Sequence, residues 1–286
     1  MPGRPNPTLR QRRLGAELRR MREQAGLGGS QLARVLGVSP TQVTQMESGK
    51  TSVNVDRLHT ITAACNYTNQ PLIGALAEII ASRGKGWWEE YRGLIPSAFL
   101  ESAEHEDFAA GTVKVWTSVF LPGLLQTSEY AQGMFTRKIP GLTPHEIELR
   151  TSFRRKRRDT FLQSPGKKLE VYVHESSLLT RFGGTDVLRE QLFCVVDDSA
   201  RANVSVRVVP FGVHTHPGPI ESILYSFGAV SELDTVEMES SRGPMFFDAP
   251  DELESYRSTF DRIERAALTC EESRDLIQRT ARSLKD

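Results

Sequence analysis

Thr41, Gln42, Thr44 and Gln45 stand within five residues of one another, interrupted by Val43 and followed by Met46. A period of 3.6 residues puts Val43 and Met46 on one side of a helix and the four polar side chains on the other. Such a face can read base edges. A glutamine carboxamide can pair bidentately with adenine N6 and N7, and a threonine can bond an edge or offer its methyl to thymine. Arg34, Ser39 and Lys50 flank the face and suit phosphate oxygens, which fix register without carrying sequence information. The plainer alternative is a small helical bundle whose polar face is merely solvated.

The elements that must hold this face follow from the neighbouring residues. Leu14, Leu18, Met21 and Ala25 fall on one helical stripe, so a first helix is expected over Leu9–Ala25, stopped by Gly26. Arg12, Arg13, Arg19 and Arg20 fall on its opposite, outward face. A second helix is expected over Ser30–Leu36, burying Leu32, Ala33 and Leu36. Gly28 and Gly29 lack capping side chains, so this helix should start late. Gly37 and Val38 make a turn, Ser39 is a good N-cap, and Pro40 suits the first position of a third helix running to Glu47. Further helices are expected over Val55–Cys65 and Pro71–Arg83. Two short helices about a glycine turn, the second presenting polar residues, form a helix-turn-helix layout, which places side chains in a DNA major groove.

Charge supports the same partner. The 286-residue chain has a formal net charge of +0, but its first 60 residues hold ten Lys or Arg against four Asp or Glu. A basic segment on a neutral chain points to a polyanion for that segment alone. Residues 1–8 read as a floppy arm, from which Arg4 could reach a minor groove.

Beyond SRGKG (82–86) the pattern changes. Trp87, Trp88 and Tyr91 suit a hydrophobic clamp. Strands are expected over 112–120, 169–174, 204–209, 222–227 and 235–239, interleaved with helices over 128–138, 144–163, 185–202, 251–268 and 270–284. The fold class is therefore multidomain: an N-terminal all-α five-helix domain (1–83), linker helices (84–111), and a C-terminal mixed α/β (α+β) domain (112–286).

Three other clusters carry possible chemistry. Arg150, Arg154, Arg155 and Arg158 lie on the expected 144–163 helix. They could pair with acidic helices of their own domain, receive an acidic partner or anionic ligand, or add DNA-backbone contacts. The helix is amphipathic, with Ile147, Phe153, Arg157 and Phe161 among its inward candidates. His214 and His216 are spaced like strand neighbours, but no third ligand stands nearby, so a loop with two surface histidines is the simpler reading and no metal is expected. Glu175 beside His174 reads as a helix-terminal charge. No GxSxG, P-loop or GxGxxG occurs, so neither an enzyme nor a cofactor is expected. The acidic run from Asp248 to Asp275 reads as solvated helix surface. Cys65, Cys194 and Cys270 form no CxxC pair, which fits a reducing, cytoplasmic setting. The basic N-terminus lacks the apolar run of a secretory signal, and the longest apolar stretch, 72–80, is too short to span a membrane.

The segment SQLARVLGVSPTQVTQMESGK (30–50) resembles the XRE (Cro-type) helix-turn-helix family through Leu27, Leu32, Ala33, Leu36, Gly37, Val38, Ser39, Val43, Glu47 and Gly49. FLPGLLQTSEYA (120–131), the arginine helix, VYVHESSLLTRFGG (171–184) and VRVVPF (206–211) together resemble the actinobacterial antitoxin-like regulators, in which such a domain precedes an uncharacterised α/β domain. The resemblance implies a dimeric transcription regulator, most simply a repressor, on palindromic double-stranded DNA. It also implies a C-terminal domain that dimerises, senses a small-molecule effector, or holds a small protein encoded nearby. An antitoxin-like module that binds such a protein and autoregulates its operon is the other functional reading.

Overall fold

Caps decide where the N-terminal helices begin. The structure is a computed structural model describing residues 7–82, 86–138, 140–213, 216–240 and 243–285; Arg4 and His214 lie outside them. Helix α1 (Leu9–Gln24) starts at Thr8, whose hydroxyl accepts the Gln11 N–H while Gln11 Oε1 accepts the Thr8 N–H. Helix α2 (Gly29–Leu36) starts earlier than its glycines led one to expect. Gln31 closes the cap from within, its Oε1 accepting the Gly28 N–H at 2.6 Å. Gly37 takes the left-handed conformation (φ +65°) that ends α2, and α3 (Pro40–Glu47) follows from the Ser39 cap. Helices α4 (Val55–Ala64) and α5 (Gln70–Ala81) are capped by Asn54 and Asn69.

Leu18 and Met21 of α1, Leu32 of α2, Val43 of α3, Leu58 and Ile61 of α4, and Leu72 and Leu76 of α5 form the buried centre of this unit. Two glycines record how closely α1 meets α3. A Cβ on Gly15 would fall on the Glu47 carbonyl, and one on Gly49 would come within 2.7 Å of the Gln11 carbonyl. The outward arginine face of α1 needs correction. Arg13 is 3% exposed and pairs at 2.8 Å with Glu17, itself 4% exposed. A buried guanidinium is retained here because its carboxylate partner lies one turn away.

The compact units are Met1–Trp87 with Ala229–Leu233, and Trp88–Gly228 with Asp234–Asp286. The stretch 84–111 contributes a 3-10 turn (Trp87–Tyr91) and α6 (Ser97–Phe108). Helix α6 belongs to the second unit, and Tyr91 meets Phe153 edge-on with ring centroids 5.1 Å apart.

The second unit is a six-stranded mixed sheet with helices on both faces, ordered β3-β2-β1-β4-β5-β6. Strands β1 (Thr112–Thr117), β2 (Lys168–His174) and β3 (Val204–Val209) run parallel. Their crossovers carry α7 (Ser128–Thr136), α8 (Pro144–Gln163) and α9 (Thr185–Asp198). Strands β4 (Ile223–Ser226), β5 (Thr235–Ser240) and β6 (Gly243–Phe247) extend the sheet antiparallel. Helices α10 (Pro250–Ala266) and α11 (Cys270–Ser283) close the chain. Val115, Val171 and Val206 pack on one face with Leu192 of α9 and Ile277 of α11. Trp116, Tyr172 and Tyr225 pack on the other with Phe260 and Ile263 of α10.

The fold class is thus the expected one: a helical N-terminal region followed by mixed sheet and helices. Strand β6 lies outside the strands expected from sequence; it holds Pro244, which an edge strand tolerates, and β6 is an edge. No helix among the described residues is long and apolar enough to cross a membrane.

Candidate functional site

Helix α3 carries the residues proposed to read bases, and its orientation is fixed from behind. Arg22 of α1 donates two hydrogen bonds to the Glu47 carboxylate, Nε at 2.5 Å and Nη2 at 2.9 Å, and a third from Nη1 to the Leu27 carbonyl at 2.9 Å. Both side chains are largely buried. The hydrogen bond to Glu47 raises the Arg22 pKa against the opposing effect of burial, so the guanidinium stays charged. Sequence reading had counted Arg22 only as local positive charge. The signal that could have found the pair is Glu47 itself, an acid at the end of a helix whose neighbours face the core.

The exposed side of α3 holds Thr41, Gln42 and Thr44, with Gln45 half-buried at its edge. These side chains are unequal. Gln42 is the third residue of the Ser39 cap: its N–H donates to Ser39 Oγ at 3.2 Å, and its Oε1 accepts the Ser39 N–H at 2.9 Å. Bidentate pairing with adenine asks that same oxygen, through its second lone pair, to accept from N6 while Nε2 donates to N7. With the cap closed, the carboxamide N–H groups can still donate to an acceptor edge such as guanine O6 or N7. Thr44 Oγ1 donates to the Pro40 carbonyl at 3.2 Å, which leaves its methyl and lone pairs outward. Gln45 Oε1 accepts from Thr51 at 3.2 Å. Arg34 and Lys50 are exposed, and Ser39 is exposed at the head of α3.

The α8 arginines are mostly engaged within their own unit. Arg157 donates to both oxygens of Glu106, with Nε at 2.7 Å, and Arg158 meets Asp198 at 2.5 Å. Lys156 bonds Glu90, and Arg150 is buried against the Phe99 ring, 5.4 Å from its centroid. Arg155 alone of the four predicted arginines is exposed. Arg154 differs again. Its Nη1 donates to Gln126 at 3.0 Å, its guanidinium lies 5.5 Å from the centre of the Phe135 ring, and its Nε is buried with no hydrogen-bond partner. Burial, and then the charge of Arg157, lower its pKa to about 10.

Arg154 lines a cavity of 270 Å³ between α6, α8 and β5, together with Lys138, Phe99, Leu124, Met134, Glu237 and Glu239. The PGLLQ segment builds its wall. Gln126 holds Arg154 and donates to the Leu121 carbonyl at 2.6 Å, and a Cβ on Gly123 would collide with the Arg154 guanidinium. On the opposite wall Glu237 accepts from Ser102 at 2.5 Å and lies 3.2 Å from His105 Nδ1. Burial would raise its pKa, but the His105 hydrogen bond and nearby positive charge hold it below the ordinary value. Glu239 is exposed to solvent, yet the surrounding walls desolvate its carboxylate and push its pKa up. Sequence reading did not single out Glu237 or Glu239; their alternation along β5 was the available signal.

His216 lies 5.0 Å from the His174 ring, and no group of three His, Cys, Asp or Glu able to hold a metal occurs among the described residues.

Residues 100–279 match the family described as Domain of unknown function (DUF5753), which covers more than half of the chain. The chain belongs to that family. Residues 13–72 match a helix-turn-helix domain, so the DUF5753 domain follows a DNA-binding module of a transcription regulator. No curated protein and no solved structure matches the chain. The match to DUF5753 begins within α6 and takes in β1 to β6, so Arg154, Gly123 and Glu239 all belong to the DUF5753 domain.

Proposed function

We propose that this protein is a non-enzymatic, sequence-specific repressor acting as a dimer on a palindromic operator in the cytoplasm, with the DUF5753 domain as its regulatory part. The supporting observation is the polar face of α3, held outward by the buried Arg22–Glu47 pair. Thr41, Gln42, Thr44 and Gln45 read base edges, while Arg34, Ser39 and Lys50 contact phosphates. The recognition helix carries no Lys or Arg between Ser39 and Glu47. Affinity then depends on the flanking cations and on two half-sites bound together, about 34 Å apart.

The resemblance to antitoxin-like regulators offers a second role for the C-terminal domain, that of holding a small partner protein. The concave, charged cavity favours a small-molecule effector, because concave sites with a few polar groups suit ligands rather than protein surfaces.

Fluorescence anisotropy with operator and scrambled duplexes tests the reading. Gln42→Ala should weaken operator binding and relax preference at one base pair by about 1–3 kcal/mol. Arg34→Ala should weaken all duplexes alike. Equal affinity of the unmutated protein for operator and scrambled DNA would overturn it.

A further inference from the structure

Three segments far apart in sequence meet at the cavity of the DUF5753 domain: PGLLQ (122–126), the arginine helix α8, and strand β5. Its ionisable lining is balanced, with Lys138, Arg154 and Arg157 against Glu106, Glu237 and Glu239. Three of these six charges are satisfied within the chain, and Lys138 is exposed to solvent. Arg157 is spent on Glu106, and Glu237 is held by Ser102 and His105. Arg154 and Glu239 are not. Among the described residues neither makes an ion pair, and Glu239 makes no side-chain hydrogen bond. Arg154 keeps its buried Nε without a partner, although Lys156, Arg157 and Arg158, further along α8, find carboxylates.

Burying a guanidinium without a carboxylate is costly, and a carboxylate in a desolvating crevice is costly too. Each lies in the field of the other without forming an ion pair among the described residues, and Phe99, Leu124 and Met134 line the same cavity. A ligand that carries a carboxylate and an ammonium beside an apolar group would satisfy both at once and place that group against this lining. A multiply charged anion such as a phosphate ester would meet Glu237 and Glu239 and gain no net attraction from a balanced lining. The volume of 270 Å³ lies at the small end of ligand sites, which run from about 300 to 1,000 Å³. We propose that this cavity binds a small zwitterion of apolar amino-acid type, its carboxylate on Arg154 and its ammonium on Glu239. This deepens the regulatory reading above and rests on it only for the consequence of binding, not for binding itself.

Isothermal titration of the full-length protein without DNA tests the inference. The probes are L-leucine and L-phenylalanine, with N-acetyl-L-leucine (no ammonium) and L-leucinamide (no carboxylate) as controls. Saturable binding of at least one amino acid is expected, with each control weaker by about tenfold or more, as loss of a charge-assisted hydrogen bond implies. In Glu239→Gln the advantage of leucine over N-acetyl-leucine should vanish. In Arg154→Gln the advantage of leucine over leucinamide should vanish, and Gly123→Ala, which displaces the Arg154 side chain, should weaken both amino acids. Thermal unfolding of each variant establishes that it is folded. Absence of saturable binding of both amino acids at up to ~10 mM would overturn the inference. So would equal binding of leucine and the two controls. Because DNA is absent, a negative titration leaves operator recognition standing, and failure of operator recognition leaves the titration standing.

Discussion

Gln42 has two tasks on one carboxamide: its oxygen caps α3, while its N–H groups face outward. Gln42→Glu keeps the cap, since a glutamate at this position accepts the same N–H and sits well at a helix N-terminus. It removes the donor and adds a charge that phosphates repel. Operator affinity should therefore fall with no loss of thermal stability. Ser39→Ala should instead cost about 1 kcal/mol of stability in urea unfolding, because it removes the side-chain acceptor for the Gln42 N–H. Glu239 gives a prediction of opposite sign. The surrounding walls partly desolvate it and raise its pKa, so its carboxyl favours the folded state most below its unfolded pKa, and that contribution is lost as pH rises through the folded value. Solvent around the exposed carboxylate screens the cost of its ionised form, so Glu239→Gln should raise the melting temperature only slightly while removing ammonium recognition. The four polar residues of α3 were legible in sequence because Val43 and Met46 mark the buried side. The cap role of Gln42 was less visible, since the same carboxamide satisfies both the pattern of a cap and that of a base reader.

At the scale of elements, the helix-turn-helix depends on how α1 meets α3. Removing one partner of a largely buried ion pair leaves the other short of its hydrogen bonds, so Arg22→Met or Glu47→Leu should each cost about 1–3 kcal/mol. The doubly substituted protein should recover much of that loss, and a double-mutant cycle in urea checks it. Gly15→Ala should force α1 away from the Glu47 carbonyl and weaken DNA binding together with stability. Helices α1 to α5 were readable because their caps and apolar stripes agree. Helix α6 was harder to place, because it buries Glu104, His105 and Glu106 beside Leu100 and Ala103, and buried charge hides an apolar stripe. The arginine helix was visible as a charge run. Which arginines pair with carboxylates depends on α6 and α9, and no local pattern encodes that.

For the whole molecule, a net charge of +0 conceals a division of labour. Four of the ten basic side chains in the first 60 residues pair with acids of the same segment: Arg13 and Arg20 serve Glu17, Arg19 serves Glu23, and Arg22 serves Glu47. Exposed Arg34 and Lys50 would give a dimer about four phosphate contacts, hence a log–log salt slope of about −4 for operator binding. Arg34→Ala should reduce that slope by about 2 in a dimer, one contact per half-site. The most direct test of DNA reading by α3 is selection of bound duplexes from a random pool by the full-length protein. The expected result is enrichment of two inverted half-sites about one helical turn apart, with the preferred base at one position of each half-site lost in Gln42→Ala. A pool that stays unenriched, or an unchanged motif in Gln42→Ala and Thr41→Ala alike, would contradict it.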